Sequence, residues 1–495
     1  MPTETLLLAV DLGTQQFKAM VVSAATGEVV SRAVAAVDNY SEAPGMVEQD
    51  PQQWQELLFA VGRRAVDESG KAAAIAGIGV TGHMHTLVAL DAQHRPVHRA
   101  VVWNDTRSSR AAETLARSEP LWNPPISAYT LPKLLWLEQH HPEAASRVST
   151  LVYPKDYLRL CLTGRAATDP SDASSSLAWD FRARAWDHGL LCEHGLGELD
   201  MPEVLRSNAL AGELDAEPAR RLGLRAGLPV ATGAGDVAAA LIGANVVDSD
   251  AVLINAGTAA QVITLPRAGR DEILDGRHER GRIGYLFEVG LEDRLFIMGA
   301  LPSAGHSLAW WRRLGGGRHG FEDLDAMAAE HPLEPSAAIF LPYLQGTGTP
   351  SMVDGGLAGF VQVSASEDVG RLTRAVIEGV AMGIRGALDA MMQGRPRPST
   401  IVITGGLGRS STFCRALSTL LAETVEVRQV ADVSCIGAAA TAWSLLEGEV
   451  EAIPIRSDAF STYTPDSAGR DAIEARYLRF QRWTDIVVEA FGELR

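Results

Sequence analysis

Basic charge is scarce in this chain: 44 Lys and Arg stand against 61 Asp and Glu over 495 residues, a formal net charge of −17. Binding a phosphate backbone takes a basic face, so the balance argues against a nucleic-acid partner and leaves room only for a local basic pocket. Cysteine is nearly absent too. Cys161, Cys192, Cys414 and Cys435 show no CxxC spacing, which argues against a zinc or disulfide framework and reads as buried thiols in a reducing cytoplasm. No apolar stretch approaches the roughly 18 uninterrupted residues of a membrane span. The start, MPTETLLLAV, lacks the basic flank of a secretion signal. Also missing are the GxxxxGK[ST] loop of P-loop enzymes and the HRD and DFG motifs of protein kinases.

What is present is one design used twice. LLLAVDLGTQQFKAMVV carries Asp11, Gly13 and Thr14, and VLINAGTAAQVITL carries Asn255, Gly257 and Thr258. Each reads as a β-hairpin turning at a Gly-Thr pair, with glycine supplying positive φ and room, and threonine a hydroxyl beside exposed amides. Two such turns facing each other across a cleft would grip a chain of phosphates, which suggests an ATP-handling protein of duplicated architecture.

Strand-like and helical runs alternate throughout, the mark of an α/β class. Strands are expected over 6–9, 19–22, 75–81 and 230–233, the last ending in a loop, Gly233-Ala234-Gly235-Asp236. Helices are expected over 51–68, where Asp50 caps and Pro51 starts the first turn, and over 237–244. The pattern restarts near 248, so domains are placed at 1–247 and 248–495. In the second half a helix over 368–392 precedes a strand over 401–404 and the turn Gly405-Gly406-Leu407-Gly408. A small-residue helix over 437–446 and an amphipathic segment over 470–491, in a tail from about Glu451, follow.

Taken in order, the motifs resemble the FGGY family of carbohydrate kinases, most closely its xylulokinase branch, over nearly the whole chain. The resemblance rests on Asp11-Leu12-Gly13-Thr14, Glu48-Gln49-Asp50-Pro51, Gly82-His83-Met84-His85 and Trp103-Asn104-Asp105 with Arg107. It continues through Pro132 to Trp136, Pro154 to Leu158, Gly233 to Asp236, Gly257-Thr258, Leu341-Pro342-Tyr343 and Gly405-Gly406. It implies a two-domain actin-like ATPase (ribonuclease H-like) fold with a ligand cleft between the domains, ATP and Mg²⁺ as cofactors, a small-molecule sugar substrate, and a homodimer as the assembly to test.

The resemblance also assigns residues. Asp236 takes the position of the family's base, where a carboxylate would accept the proton of a sugar hydroxyl and orient it; standing alone, it would equally serve as a helix N-cap. Asp11 beside phosphates needs a cation between them, hence Mg²⁺. Gly13, Thr14, Gly257 and Thr258 would hold phosphates, and Gly405, Gly406 and Gly408 adenosine. Met84, His85, Trp103, Asn104 and Asp105 would supply the apolar wall and fixed polar groups a polyol needs. His83 and His85 as a metal pair lack a third ligand nearby in sequence. The chain departs from the family in Gln15-Gln16, where many relatives have a small Ser-Gly pair, in Ala259, where Ser is frequent, and in Val237, where xylulokinases commonly carry Asn.

The expected reaction is ATP-dependent phosphorylation of a primary hydroxyl, D-xylulose to D-xylulose 5-phosphate. Ribulose, fuculose, glycerol or erythritol are alternative substrates, and a non-kinase actin-like ATPase or a sugar sensor is the alternative class.

Overall fold

The computed structural model describes residues 4–117, 121–247, 251–280, 283–291, 293–315, 317, 319–331, 338–353, 355–392, 398, 400–428, 432–449, 453–454 and 460–493. The proposed 247/248 boundary therefore abuts residues outside the described set, as does Glu451.

Two seven-stranded sheets share one plan. In the first, Leu6–Leu12 pairs antiparallel with Gln16–Ser23, which pairs with Val29–Ala36, while Ile75–Gly82 adds parallel on the other side of Leu6–Leu12. In the second, Ala251–Ala256 pairs antiparallel with Ala260–Thr264, then Leu295–Leu301, and Thr400–Thr404 adds parallel to Ala251–Ala256. The duplication read from the two motifs is thus a duplication of strand order. Apolar residues fill both hairpins because both faces are covered: Leu6 to Val10 have no exposure.

Helix Pro51–Ser69 starts where Asp50 accepts from the Gln52 amide and ends at Gly70 in the left-handed region, and it covers one face of the first sheet. Helix Val369–Met392 covers one face of the second. The core between the sheets includes helices Asp236–Gly243 and Val433–Glu447, which pack closely against each other. Val433–Glu447, late in sequence, lies on the first sheet's Leu6–Leu12 and Ile75–Gly82. Glycines permit this: a Cβ on Gly79 would stand 1.8 Å from the Ala438 carbonyl oxygen, and one on Gly437 1.8 Å from that of Ala239.

Three expectations are corrected. Neither hairpin glycine has positive φ; four residues separate the last pair of the first hairpin, Leu12 and Phe17, and three separate Ala256 from Ala260. Longer turns need no left-handed residue, so glycine there leaves space in front of the backbone instead. The strand over 230–233 is cut short, because Gly233 takes φ +79° against the Val80 carbonyl; strand Pro229–Ala231 ends before it, Ala234–Gly235 pairs with Thr81–Gly82, and Asp236 opens the helix. Of the four free cysteines only Cys414 and Cys435 are buried; Cys192 is exposed and Cys161 half-buried.

Candidate active site

The two hairpins approach one cavity: Asn255 and Gln261 line it directly, and Asp11 reaches it through Ser434. In the first hairpin Asp11 lies directly opposite Lys18, and in the second Asn255 lies directly opposite Gln261. The first pair is ionic, at 3.2 Å; the second is neutral, with the Asn255 amide donating to Gln261 Oε1 at 3.0 Å. Ser434, at the start of helix Val433–Glu447, donates to Asp11 Oδ2 at 2.8 Å. Asp432, just before that helix, pairs with Lys18 at 3.2 Å and Arg32 at 2.6 Å. Lys18 is thereby held firmly protonated by Asp11 and Asp432 despite its burial.

Asp236 is half-buried and accepts from the Val237 amide at 2.9 Å. Burial first, and then the charge of Asp11, push its carboxyl up to about 7. It lines a cavity of about 90 Å³ together with Asn255, Gln261 and Ser434. Val237, Ala240, Ile263 and Val433 make the remaining wall apolar.

Thr14 is braced on three sides. Its carbonyl accepts from Gln49 at 2.8 Å and Asn39 at 3.0 Å, and its hydroxyl oxygen accepts from the Trp103 indole at 2.9 Å. With the oxygen taken by an indole donor, its O–H proton is left to donate. In the second turn, the Gly257 and Thr258 carbonyls accept from the amides of Gly305 and His306, which seats the turn on helix Gly305–Leu314.

His85 has φ +66°. That conformation is fixed by its carbonyl, which accepts from Lys133 at 2.9 Å and Thr130 at 3.2 Å, and by its amide, which donates to Ser175 at 3.3 Å. The ring Nδ1 lies 3.1 Å from the Ser175 carbonyl, which can only accept, so Nδ1 carries the proton. Burial and nearby Lys133 push its pKa down to about 3, so the ring is neutral and Nε2 is an acceptor. Tyr129 and Phe287 flank it at 5.0 and 5.5 Å between ring centres, and Phe287 comes from the second sheet. Met84 is buried against Gly235.

Other expected residues are placed as follows. Trp103 and Asn104 are exposed. Asp105 is fully buried and accepts from the Val47 amide at 2.6 Å and from the Arg107 guanidinium at 2.9 Å. Gly405 turns at φ +88° against Ala256, Gly406 has nothing within 4 Å of a Cβ, and Gly408 is packed, with Val427 2.9 Å from where its Cβ would stand. His83 is occupied by Thr86 at 2.7 Å and Gln49 at 3.3 Å. Lys18, Gln261 and Ser434 were not read from sequence; counting the hairpin register would have found the first two.

Among the described residues no group of three His, Cys, Asp or Glu side chains converges to hold a metal. Asp11 still suits a hard cation, since both its contacts fall on Oδ2 and the Asp236 carboxylate is near enough to sense its charge. That donor set suits an ion carried in on phosphates and water rather than a closed protein cage.

Duplicated sheets that each carry a glycine-threonine hairpin mark the actin-like ATPase fold, and the half-buried Asp236 carboxylate shares a cavity with Asn255 and Gln261 of the second hairpin. Comparison with known sequences gives the family. The family model for the N-terminal domain of FGGY carbohydrate kinases matches residues 6–243 and that for the C-terminal domain matches 252–445, and the chain belongs to the FGGY family of carbohydrate kinases. It is an ATP-using sugar kinase.

The chain is 29% identical over 486 residues to a xylulose kinase of Staphylococcus epidermidis, covering 96% of this chain and 95% of that one. It is 30% identical over 413 residues to the xylulose kinase of Lactococcus lactis, covering 82% and 80%. The crystal structure of a xyloylose kinase from Brucella ovis superimposes with a TM-score of 0.88 at 29% identity, covering 99% of this chain and all of that one. No helix among the described residues is long and apolar enough to cross a membrane.

Proposed function

We propose that the protein transfers the γ-phosphoryl group of ATP to the primary hydroxyl of a ketopentose, D-xylulose to D-xylulose 5-phosphate, in the cytoplasm where ATP is made available. The observation that carries this reading is the placement of Asp236, between the two hairpins and with a carboxyl pushed up to about 7. A carboxylate tuned near neutrality accepts the hydroxyl proton as the oxygen attacks, and it aims that oxygen at the phosphorus. His85 Nε2 accepts from a second hydroxyl, and Met84, Tyr129 and Phe287 face the C–H side of the sugar. Thr14, Thr258 and the turn amides hold phosphate oxygens, and Lys18 offsets their charge. Asp105 acts indirectly, by fixing Arg107 and the loop that carries Trp103.

We assign Asp11, through Oδ1 and water, to the Mg²⁺ that arrives with the nucleotide and neutralises charge on its phosphates. Gly406, with nothing within 4 Å of where a Cβ would stand, leaves the backbone open to the ribose and adenine, and Gly405 makes the turn that presents it. The names of the relatives at 29–30% identity support xylulose as the sugar.

Val237 supports a second reading, another polyol. An apolar wall beside Asp236 offers no hydrogen bond where a hydroxyl would have one, and one unpaired hydroxyl can shift substrate preference by orders of magnitude. ADP release measured against D-xylulose, D-ribulose, L-fuculose, glycerol and erythritol separates the readings. We expect kcat/KM for D-xylulose to exceed the others by about tenfold or more. A different leading sugar transfers the assignment to that sugar, and ATP hydrolysis indifferent to every sugar overturns the kinase mechanism at this site.

A further inference from the structure

Beneath the loop that presents Asp236 lies a fully buried ionic cluster. The Lys155 ammonium sits 2.6 Å from Asp156 Oδ1, 3.0 Å from Asp169 Oδ1 and 3.0 Å from Asp172 Oδ2, and all four side chains have no exposure. Arg159 joins through Asp156 at 2.9 Å and donates to the Thr232 carbonyl at 2.7 Å. Burying these charges is costly unless each is paired and fixed, so the cluster is a rigid base for whatever it holds.

Ser171 connects it to the residue next to Asp236. Ser171 Oγ donates to Asp169 Oδ2 at 2.7 Å, and the same oxygen accepts from the Gly235 amide at 2.9 Å. The bond to Asp169 fixes the direction of the hydroxyl, leaving its lone pair aimed at the amide of the residue immediately before Asp236. The helix that Asp236 opens has no side-chain N-cap; its entry is held by the pairing of Ala234–Gly235 with Thr81–Gly82 and by this bond, which fixes the Gly235 amide.

The cluster also meets the second sheet. Ser207 Oγ donates to the same Asp169 oxygen at 2.7 Å, and its amide donates to the Gly290 carbonyl at 2.9 Å. Gly290 is at φ +89°, and a Cβ there would stand 2.5 Å from Asp169 Oδ2. Ser174 Oγ accepts from the Glu288 amide at 3.1 Å. The short segment over 169–176 therefore touches the base's loop on one side and the opposite domain on the other.

We propose that Ser171, held by Asp169 and Lys155, is a positioning residue that sets the reach of Asp236 toward the sugar hydroxyl. The inference rests on Asp236 as the base. A matched pair of variants tests it. Ser171→Ala and Ser207→Ala each remove one hydroxyl from the same oxygen of Asp169, but only the first releases Gly235. Ser171→Ala is expected to lower kcat ten- to a hundred-fold, as a small misplacement of a catalytic group does, with KM for ATP within about twofold of wild type. Ser207→Ala is expected to keep kcat within about twofold while shifting the urea midpoint as much as Ser171→Ala does.

Asp236→Asn is measured alongside, with a sugar kinase assay on the leading substrate. An inactive Asp236→Asn together with equal kcat for the two serine variants overturns the positioning role and leaves the base in place. An active Asp236→Asn overturns both. Lowered kcat that tracks lost stability in both serine variants also overturns it.

Discussion

Asp236→Asn is expected to lower kcat by about 10²–10⁴-fold, the range a positioned general base supplies, while the protein folds and still binds nucleotide. Asn keeps the shape and can still accept from the Val237 amide, so the loss isolates the proton acceptor from the scaffold. Rapid-quench or coupled ADP measurements at saturating sugar read it, and kcat within about threefold of wild type would remove Asp236 from the chemistry. The pH dependence follows from the same burial. Because desolvation and Asp11 raise the carboxyl from the ordinary 3.8 to about 7, the base is protonated and idle at pH 5 and ionised at pH 8. Initial rates at low concentrations of both substrates, which report the free enzyme, should therefore fall with one proton as pH drops below about 7.

Stability should move the other way. A carboxyl whose folded pKa stands above its unfolded value binds its proton more tightly when folded, so its contribution is present at low pH and is lost as pH rises from about 4 to about 7. Asp236→Asn removes that loss. Its thermal midpoint relative to wild type should climb across that window and level off above it, giving a variant that is more stable and inactive at pH 8. An equal shift at pH 4 and pH 8 would mean that Asp236 is not desolvated as described.

Local patterns made the frame of the candidate site legible. Asp11 lies near the end of a buried strand with Gly13 and Thr14 directly after it, and Asp236 follows a glycine turn between strand and helix, so short-range sequence carries them. Residues that matter through pairing were not visible in the same way. Ser434 reaches Asp11 from 423 positions away, and no spacing rule connects them. Lys18 and Gln261 depend on hairpin register, which turn length sets, and the turns are longer than a two-residue hairpin. Gly405 and Gly408 share one motif for different reasons: the first needs φ +88°, the second a space against Val427. Ser171 lies in a run of small polar residues, DPSDASSS, whose buried charges become meaningful only once Lys155 folds over them.

Gly437→Ala is expected to be among the most damaging single substitutions in the chain. Its Cβ would stand 1.8 Å from the Ala239 carbonyl oxygen and 2.6 Å from its carbon, and a Cβ on nearby Gly243 would stand 2.0 Å from the Val433 oxygen. These obstacles are backbone, so no side chain can swing aside, and helices Asp236–Gly243 and Val433–Glu447 must separate. The second helix is pinned on its other side, where Gly79 admits the Ala438 carbonyl against the first sheet, so separation disrupts two contacts together. We expect a loss above about 4 kcal/mol in urea unfolding, the range reserved for severe core disruption. Since Asp432 just before that helix and Ser434 in its first turn hold Lys18 and Asp11, any folded fraction should also bind ADP more weakly. Gly359→Ala is the control: nothing lies within 4 Å of its Cβ, and stability should stay within about 0.5 kcal/mol. A Gly437→Ala protein as stable as that control would show that the two helices do not make the close backbone contact on which the cavity is built.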